Sequence, residues 1–385
     1  MSRRDFDVVV VGAGIAGASV ASRLAGLSVA VLEQESQPGY HSTGRSAAIF
    51  SQVYGSSSVR ALTRATGPFL LDPPKGFADN PLLRRCGVLF IARADQRDQI
   101  EALSALDDVT SVTRRVSPTE ALNLLSILKP GYVSHALVED GAAEIEVHAL
   151  HHGYLRQVTA LGGELFAHAA VTGLSRANGR WQVETPRGLF SADVVVNAAG
   201  AWADGVAELA GIEPLHIQPL RRTAVIVDAP PGSDPGRWPM TVDIDEQFYL
   251  KPDAGRILIS PADETPVDAC DVQPEEYDVA VAVHRVERAT TLEIKRIQNK
   301  WAGLRCFAPD RNLVIGYDVS APGFFWMAGQ GGYGIQTSFG AAELGAALLA
   351  GRPVPGPLID LGLQPEDTSP ARFAPARPAV EPFAA

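Results

Sequence analysis

Residues 7–33 read DVVVVGAGIAGASVASRLAGLSVAVLE, and this stretch decides the fold. Its β-branched run at 7–11 predicts a buried parallel strand, because such strands are covered on both faces. A glycine turn follows, then a segment of helical composition at 15–25 and a second strand at 29–32. The order strand, glycine turn, helix and strand predicts a βαβ unit and therefore an α/β fold.

The turn has the spacing GxGxxG. Gly12 permits a tight turn, Gly14 lets backbone amides approach a pyrophosphate, and Gly17 lets the helix lie close to the strand. The second strand ends on Glu33, whose carboxylate suits a ribose hydroxyl and disfavours a 2′-phosphate. The stretch therefore predicts a dinucleotide site for NAD or FAD rather than NADP.

Two later segments narrow the choice of cofactor. Residues 193–202, DVVVNAAGAW, form a strand that runs into small residues, which permits close approach by a flat ligand. Residues 324–337, FFWMAGQGGYGIQT, repeat the order strand, glycine turn and helix, with the helix expected at 338–350. Two such turns far apart in one sheet suit FAD better than NAD.

Bulk properties exclude several classes of protein. The chain has 385 residues and a net charge of −11, which argues against a nucleic-acid partner and against docking on an anionic membrane. Cys86, Cys270 and Cys306 are too few and too scattered for a disulfide framework. No apolar run reaches the length of a membrane span. We expect a cytoplasmic protein, or one peripheral to the inner membrane.

Six motifs together resemble a known family: the fingerprint with its acid, STGRSAA (42–48), NAAGAW (197–202), FYLKPDAG (248–255), WAGLR (301–305) and QGGYGIQT (330–337). In order and spacing they are similar to the FAD-dependent D-amino-acid oxidase and dehydrogenase superfamily. Within it, the motifs look most like those of bacterial D-arginine dehydrogenase. The resemblance covers about residues 5–340.

The resemblance implies an α/β architecture with a Rossmann-like FAD-binding domain and an α+β substrate domain on a mixed sheet. The FAD-binding domain would comprise 1–50, 145–215 and 300–362, and the substrate domain 51–144 and 216–299. Strand-like runs at 223–228, 248–251 and 257–260 and a helix-like run at 276–290 agree with that division. A Pro- and Ala-rich tail, expected to be irregular, would occupy 363–385.

The cofactor implied is FAD held without a covalent bond, since Arg305 stands where relatives that attach flavin through cysteine carry that cysteine, and Cys306 only follows it. The expected cofactor-binding residues are Gly12, Gly14, Ile15, Ala16, Gly17, Glu33, Gln34, Ser42, Thr43, Gly44, Arg45, Ser46, Ala47, Ala48, Val171, Ala199, Gly200, Trp202, Gly303, Gly331, Gly332, Tyr333, Gly334, Ile335 and Gln336.

The reaction implied is oxidative deamination of a D-amino acid, by hydride transfer from Cα to flavin N5. It gives an imino acid that hydrolyses to a 2-oxo acid and ammonia. A substrate carboxylate suits the fork of an arginine. The resemblance selects Arg222 over Arg221, its strand neighbour that faces the other way. The expected catalytic residues are Arg222, Tyr249, Arg305, Tyr54 and Gly332.

The expected substrate pocket comprises Ile49, Ser51, Val88, Glu246 and Tyr333. D-arginine dehydrogenase holds its cationic substrate with a Glu soon after a PLL motif, and the family has a His at the position of Ile49. Here no carboxylate occurs from 81 to 94, and Gly87 or Val88 takes that place. A buried cation without a partner costs several kcal/mol. We therefore expect apolar or aromatic substrate side chains rather than cationic ones.

No catalytic base or metal is expected. His148, His151 and His152 share a predicted helix, but zinc would need a further ligand, so a solvated helix face is the simpler interpretation. Three alternatives stay open: an oxidase of N-methyl or cyclic amino acids, a 2-hydroxy acid dehydrogenase, and a non-catalytic cofactor-binding scaffold. The electron acceptor would be O₂ or a quinone, and the protein a monomer or weak homodimer.

Overall fold

Two large β-sheets and one small sheet organise the chain in this computed structural model, which describes residues 3–374. The strands are β1 (Arg3–Val11), β2 (Val29–Leu32), β3 (Ile49–Phe50), β4 (Leu83–Arg85), β5 (Val88–Ala92), β6 (Arg114–Val116), β7 (His135–Glu139), β8 (Ala143–Ile145), β9 (Glu164–Phe166), β10 (Gly173–Ala177), β11 (Arg180–Thr185), β12 (Gly188–Asn197), β13 (Gln218–Val227), β14 (Met240–Asp243), β15 (Tyr249–Asp253), β16 (Arg256–Ser260), β17 (Thr265–Pro266), β18 (Ile297–Phe307), β19 (Val314–Tyr317) and β20 (Phe324–Ala328). The α-helices are α1 (Ile15–Ala21), α2 (Ser57–Leu71), α3 (Arg97–Ser104), α4 (Asp107–Thr110), α5 (Pro118–Leu124), α6 (Val147–Ala160), α7 (Ala203–Leu209), α8 (Glu276–Ala289), α9 (Ser338–Leu349) and α10 (Gly356–Asp360).

The first sheet contains the fingerprint. Its order is β10-β11-β12-β1-β2-β9, and β20 pairs with the end of β12 and with β19. The pairs that join β9, β2, β1, β12 and β20 are parallel, so the carboxyl ends of these strands meet at one edge. Ligands of open α/β sheets bind at that edge.

Both faces of the first sheet are covered. Val9 and Val11 of β1 pack into one core and Val8 and Val10 into another, because successive side chains of a strand point to opposite faces. All four side chains are buried. This explains why β1 reads as a continuous apolar run instead of an alternating one.

The second sheet is mixed, as expected. Its order is β17-β13-β16-β15-β14-β5-β7-β6, with β18 also paired to β13, and its β14–β5 pair is parallel while β13–β18 is antiparallel. Helix α8 covers the outer face, where Val279 and Val286 share a core with Val225 of β13. The inner face carries Ala224 and Tyr249, which pack against Ala47 of the loop before β3.

A small third sheet, β3-β8-β4, includes the strand that begins at Ile49. The predicted α/β class with a mixed second sheet is confirmed. Helix α1 is shorter than the predicted 15–25, whereas α8 and α9 match their predictions within one residue.

The domain division stays a prediction, and two elements lie across its expected boundaries. Residue 300 lies inside β18, and that strand belongs wholly to the second sheet. Helix α2, expected in the substrate domain, packs against α9 and the first sheet through Val59 and Leu62. The expected tail holds two 3-10 turns at Pro365–Asp367 and Pro370–Phe373, while 375–385 lies outside the described residues.

Candidate active site

The fingerprint turn is packed too closely for any residue but glycine at two positions. A Cβ on Gly12, whose φ is +101°, would lie 2.5 Å from the carbonyl oxygen of Ala198. A Cβ on Gly17 would lie 1.9 Å from the carbonyl oxygen of Gly12. The turn is thereby fixed between β12 and α1, at the edge where the parallel strands end.

Glu33 lies buried at the end of β2 and braces the same turn. Its Oε2 accepts a 3.0 Å hydrogen bond from the Ala13 N–H, and its Oε1 accepts one of 3.0 Å from the Glu35 N–H. Each carboxylate oxygen keeps a further lone pair, and the side chain lines a cavity of about 420 Å³. The expected ribose contact is compatible with this placement.

This fingerprint cavity brings together residues from both ends of the chain. The predicted cofactor residues that line it are Gly12, Gly14, Ile15, Ala16, Glu33, Gln34, Ser42, Thr43, Val171, Ala199, Gly200, Trp202 and Gly331. Residues that sequence reasoning missed include Tyr40, His41, Ala169, Leu304 and Gln330. Gln330 could have been found from the sequence, because it is the first residue of the second glycine turn.

A second, smaller cavity of about 100 Å³ continues from the first. We call it the central cavity, and its predicted residues are Ile15, Ser42, Thr43, Arg45, Ser46, Ala47, Gly303, Gly331, Gly332, Gly334 and Ile335. Gly331 is held at its floor, because its N–H donates a 2.8 Å bond to the Cys306 carbonyl. The long continuous space from Glu33 to Gly332 fits an extended dinucleotide with a flat ring system at its end.

The loop 42–48 lies between the two cavities, but its polar side chains form hydrogen bonds with other parts of the protein. Ser42 Oγ donates a 2.6 Å hydrogen bond to the Leu304 carbonyl, and Thr43 Oγ1 accepts one of 3.0 Å from the Ile15 N–H. The Arg45 guanidinium bonds the Val272 and Ala302 carbonyls and pairs with Asp271. Arg45 is therefore a structural anchor, and its charge is committed away from a phosphate.

Five other predicted cofactor residues do not line these two cavities: Gly17, Gly44, Ala48, Tyr333 and Gln336. Gly44 packs against the Gly39 carbonyl, which would lie 2.7 Å from an added Cβ. Gly17 packs against the turn as described above. Ala48 and Gln336 line a third space on the far side of the loop, where the predicted substrate residues gather.

This third space, the apolar cavity, has a volume of about 90 Å³. The predicted residues that line it are Ile49, Ser51, Tyr54, Val88, Arg222, Glu246, Tyr249, Arg305 and Gly332. Sequence reasoning missed Phe90, Met240, Val242 and Ala262, which complete its wall. Phe90 and Val242 stand two residues from Val88 and Met240 on their strands, so strand alternation was the available signal.

Arg305 stands between the central and apolar cavities. Its Nη1 donates a 2.9 Å hydrogen bond to the Tyr54 hydroxyl, and none of the described carboxylates lies within ion-pair distance of it. Burial by itself would lower the pKa of the guanidinium, but the surrounding Tyr54, Tyr249 and Glu246 outweigh burial and raise it. Arg305 is thus a permanent, half-buried cation that lines the apolar cavity with no carboxylate of the described residues paired to it.

Arg222 also lines both cavities and is 7% exposed. Its Nε donates to the Asp263 carbonyl at 2.8 Å and its Nη2 to Glu264 at 3.1 Å, so its Nη1 remains for another partner. Arg221, the neighbour on β13, points to the opposite face and pairs with Glu275 and with Asp278 at 2.9 Å. Arg221 and Arg222 therefore point to opposite faces of β13, as the strand period predicts.

Three tyrosines surround the cations, but only two line the cavity. Tyr249 lies on the inner face of the second sheet, while Phe248 packs on the outer face. Burial raises the pKa of Tyr54, so its hydroxyl is neutral at physiological pH. Tyr333 was expected in the substrate pocket, but it does not line this cavity. It lies behind Tyr54, with ring centroids 4.9 Å apart in an edge-on arrangement, and supports it.

Glu246 lies at the mouth of the apolar cavity in a turn with φ of +52°. Its side chain is exposed and also borders an outer, open cavity of about 730 Å³ that contains Asp245, Asp263 and Glu264. The apolar cavity therefore opens toward an acidic surface. A carboxylate at an exposed mouth remains hydrated, so water screens its attraction for a cation in the cavity.

The prediction of a solvated histidine face was wrong for one residue. His148 is exposed, but His151 is 3% exposed, and its Nε2 lies 2.8 Å from the Ala13 carbonyl oxygen, so it donates to the fingerprint turn. Burial lowers the pKa of His151 to about 4. His151 therefore braces the turn as a neutral donor, a role that no local pattern signals.

Cys306 is buried, and burial raises the pKa of its thiol to about 12, so it carries no thiolate for attachment of a flavin. Within residues 3–374 there is no cluster of His, Cys, Asp or Glu that could hold a metal ion. In the same range, no helix combines the length and the apolar character needed to cross a bilayer.

Comparison with known proteins identifies what this chain resembles. The family described as FAD dependent oxidoreductase matches residues 7–348. The uncharacterized oxidoreductase YurR of Bacillus subtilis (strain 168) is 28% identical, over 93% of this chain and 97% of its own. A glycine oxidase of Pseudomonas putida is 26% identical, over 92% of this chain and 96% of its own.

The fold has counterparts among solved structures. L-proline dehydrogenase from P. horikoshii superposes with a TM-score of 0.83 at 22% identity, over 97% of this chain and 98% of that one. These relatives support the superfamily but not the narrower likeness to D-arginine dehydrogenase. The cofactor of the family is FAD, and the cavities described above fit it, with the fingerprint residues at one end and Gly332 at the other.

Proposed function

The chain belongs to the family of FAD-dependent oxidoreductases, and from that premise we propose that it oxidises D-amino acids with apolar or aromatic side chains. The substrate would lose a hydride from Cα and become an imino acid, which hydrolyses to a 2-oxo acid and ammonia. When bound, FAD supplies the hydride acceptor. The residues of the chain bind the substrate, orient Cα and exclude water.

The observation that carries this proposal is the isolated cation of Arg305. Among the described residues the Tyr54 hydroxyl is the one hydrogen-bond partner of this half-buried guanidinium, so most of its donors are free. The cost of such a charge falls when an anion of matching geometry binds, and a carboxylate accepts two parallel hydrogen bonds from an arginine fork. A substrate α-carboxylate would fill this role.

Neighbouring groups would fix the orientation of that carboxylate. Arg222 and Tyr249 line the same cavity, so the anion would have donors from two strands. At the other end, the Gly332 carbonyl accepts no hydrogen bond from the described residues and could accept one from the substrate amine. Donors at one end and an acceptor at the other define how Cα lies between them.

The walls favour an apolar substrate side chain. Ile49, Val88, Phe90, Met240 and Val242 supply the wall beyond the reactive end, and Glu246 is the only carboxylate that lines the cavity within the described part of the chain. Glu246 is exposed at the mouth and already acts on Arg305, so it offers little compensation for a second cation held deeper. Burying the unpaired ammonium of lysine there would cost several kcal/mol.

An anaerobic flavin-reduction screen tests the proposal. Purified holoenzyme is mixed with D-leucine, D-methionine, D-phenylalanine, D-arginine, D-lysine and their L-enantiomers, and bleaching of the flavin absorbance is followed. We expect faster reduction by the first three D-amino acids. Faster reduction by D-arginine than by all three would refute the side-chain preference, and reduction by L-enantiomers alone would refute the D-preference. Repeating the reaction with O₂ and with a quinone analogue distinguishes the two acceptors.

A second candidate is an oxidase of small, N-methyl or cyclic amino acids. Two observations favour it: the relatives named above include a glycine oxidase and an L-proline dehydrogenase, and the apolar cavity is only about 90 Å³. Glycine, sarcosine and L-proline therefore belong in the same screen. If any of them reduces the flavin faster than the apolar D-amino acids, this candidate replaces the first.

A further inference from the structure

Glu139 is a buried carboxylate that the proposed reaction does not yet use. It ends β7, is 0% exposed, and lies directly behind the wall of the apolar cavity. Its Oε2 accepts a 2.6 Å hydrogen bond from Ser51 Oγ, and its Oε1 accepts one of 2.7 Å from the Gln52 N–H. Val88, its partner on β5, carries one of the apolar side chains of the cavity wall.

No cation neutralises this carboxylate. Among the described residues, Glu139 forms no ion pair, and Arg64 of α2 is the charged side chain whose field acts on it. Arg64 itself is bound to Asp108 at 2.9 Å. On the adjoining strand β6, Arg114 is paired with Asp140 and Glu120. Burial raises the pKa of Glu139, which makes it a stronger proton acceptor than an ordinary glutamate.

Ser51 connects this carboxylate to the cavity. Ser51 lines the apolar cavity, and its hydroxyl, which accepts a 3.3 Å hydrogen bond from the Val53 N–H and keeps a second lone pair, donates to Glu139. Its N–H donates a 3.3 Å hydrogen bond to Gln336 Oε1, which places Ser51 on the wall shared with Gln336 and Gly332. A hydroxyl both accepts and donates, so it can pass a proton between groups on either side of it.

The chemistry needs such a route. An amino acid in water carries an ammonium group, and a hydride leaves Cα only when the nitrogen lone pair is free to form the C=N bond. The other ionisable groups of the cavity wall are poor acceptors there, since arginine stays protonated and Tyr54 is already a neutral acid. Glu246 is exposed at the mouth and outside the enclosed part.

We propose that Ser51 and Glu139 form a proton relay that takes one proton from the substrate ammonium, an inference that rests on the proposed oxidation of an amine. The ammonium N–H proton passes to Ser51 Oγ as the Ser51 hydroxyl proton passes to Glu139 Oε2. The amine becomes neutral and the carboxylate becomes a carboxylic acid. After product leaves, the same hydroxyl returns the proton to water.

The pH dependence of flavin reduction tests the relay in wild type, E139Q, S51A and S58A holoenzymes. Ser58 is the matched control, because its hydroxyl is also buried and donates a 2.6 Å bond to a carboxylate, that of Asp367, but it does not line the cavity. Without the relay, only amine that is already neutral in solution reacts. We expect the acid limb of kcat/KM to move upward toward the amine's own pKa in E139Q and S51A, with about a tenfold or greater loss at pH 7. S58A should match wild type.

A purely structural role would give a different result. If E139Q and S51A lower kcat/KM equally at all pH values and leave the acid limb in place, the relay is refuted. E139D, which keeps a carboxylate, should restore part of the wild-type limb. The amine used is whichever one reduces the flavin fastest, so an error in the proposed substrate class does not affect the result.

A measurement without substrate tests the proton relay separately from the proposed substrate class. Infrared pH-difference spectra of the holoenzyme should show a carboxylic acid band that titrates above the ordinary glutamate pKa and is missing in E139Q. Absence of that band from wild type would refute the relay even if D-amino acids are good substrates. Its presence would support a titrating Glu139 even if the proposed substrate class is wrong.

Discussion

Nη1 of Arg305 donates a 2.9 Å hydrogen bond to the hydroxyl of Tyr54, and this bond connects β18 to the loop between β3 and α2. The two residues are 251 positions apart in the chain. Tyr54 in turn rests edge-on against Tyr333 of the second glycine turn. The cation at the proposed carboxylate site is therefore held by a group from the same loop that forms the cavity wall.

Replacing Tyr54 by Phe removes the hydroxyl and keeps the ring. Arg305 then loses its protein partner in the cavity, and a hydrogen bond to a charged group contributes about 1.5–3 kcal/mol. We expect kcat/KM to fall about tenfold to hundredfold while the flavin spectrum is unchanged. Steady-state kinetics measure it, with Y277F as control because Tyr277 is 76% exposed. Equal kinetics for Y54F and wild type would contradict a role for the hydroxyl.

Replacing Arg305 by Lys keeps the charge but loses the planar fork. We expect a rise in KM and a loss of about 100-fold or more in kcat/KM, because a lysine presents one ammonium where two parallel hydrogen bonds are needed. Binding of a non-reacting carboxylate such as benzoate, followed by the flavin absorbance, should weaken in parallel. R115K, an exposed arginine paired with Glu101, is the control. Unchanged benzoate binding in R305K would contradict the proposed anion site.

Adding one methyl group at Gly332 should displace Arg305. A Cβ there would lie 2.9 Å from the guanidinium carbon and Nη1 of Arg305. We expect G332A to fold, since its backbone is not left-handed, but to lose about tenfold to hundredfold in kcat/KM because a small misplacement of a positioning group is costly. G356A is the control, as a Cβ at Gly356 meets no atom within 4 Å. Wild-type kinetics in G332A would show that Arg305 adapts without loss.

His151 should make the protein sensitive to acid. Burial lowers its pKa to about 4 from 6.5, so the unfolded chain binds a proton in a pH range where the folded chain does not. The contribution of neutral His151 to the free energy of unfolding is fully present above about pH 6.5. It is lost as the pH falls toward 4, and the loss reaches about 2 kcal/mol by pH 5. Urea unfolding at pH 7 and pH 5 measures this. H151Q keeps a donor for the Ala13 carbonyl but does not titrate, so its stability should fall less over the same range.

Replacing the same histidine by Ala tests its support of the fingerprint turn. H151A removes the donor to the Ala13 carbonyl, so we expect weaker FAD binding, measured by flavin fluorescence during dilution, with H148A as the exposed control on the same helix. FAD affinity equal to wild type in H151A would show that Glu33 alone holds the turn.

The sequence by itself determined the fold class and the cofactor. The strand, glycine turn, helix and acid of residues 7–33 are close in the chain, and their steric needs are local, so Gly12, Gly17 and Glu33 lie where the pattern placed them. The opposite orientations of Arg221 and Arg222, and of Phe248 and Tyr249, likewise follow from the two-residue period of a strand.

The tertiary structure alone decided which polar groups are available for chemistry. Arg45 is bound to Asp271, 226 positions away, and His151 to Ala13, 138 positions away. Tyr333 lies behind Tyr54, and Glu139 lies behind Ser51, 88 positions away. A side chain's partner depends on which strands and helices pack together, and that packing is set by burial of the whole core rather than by neighbours in sequence.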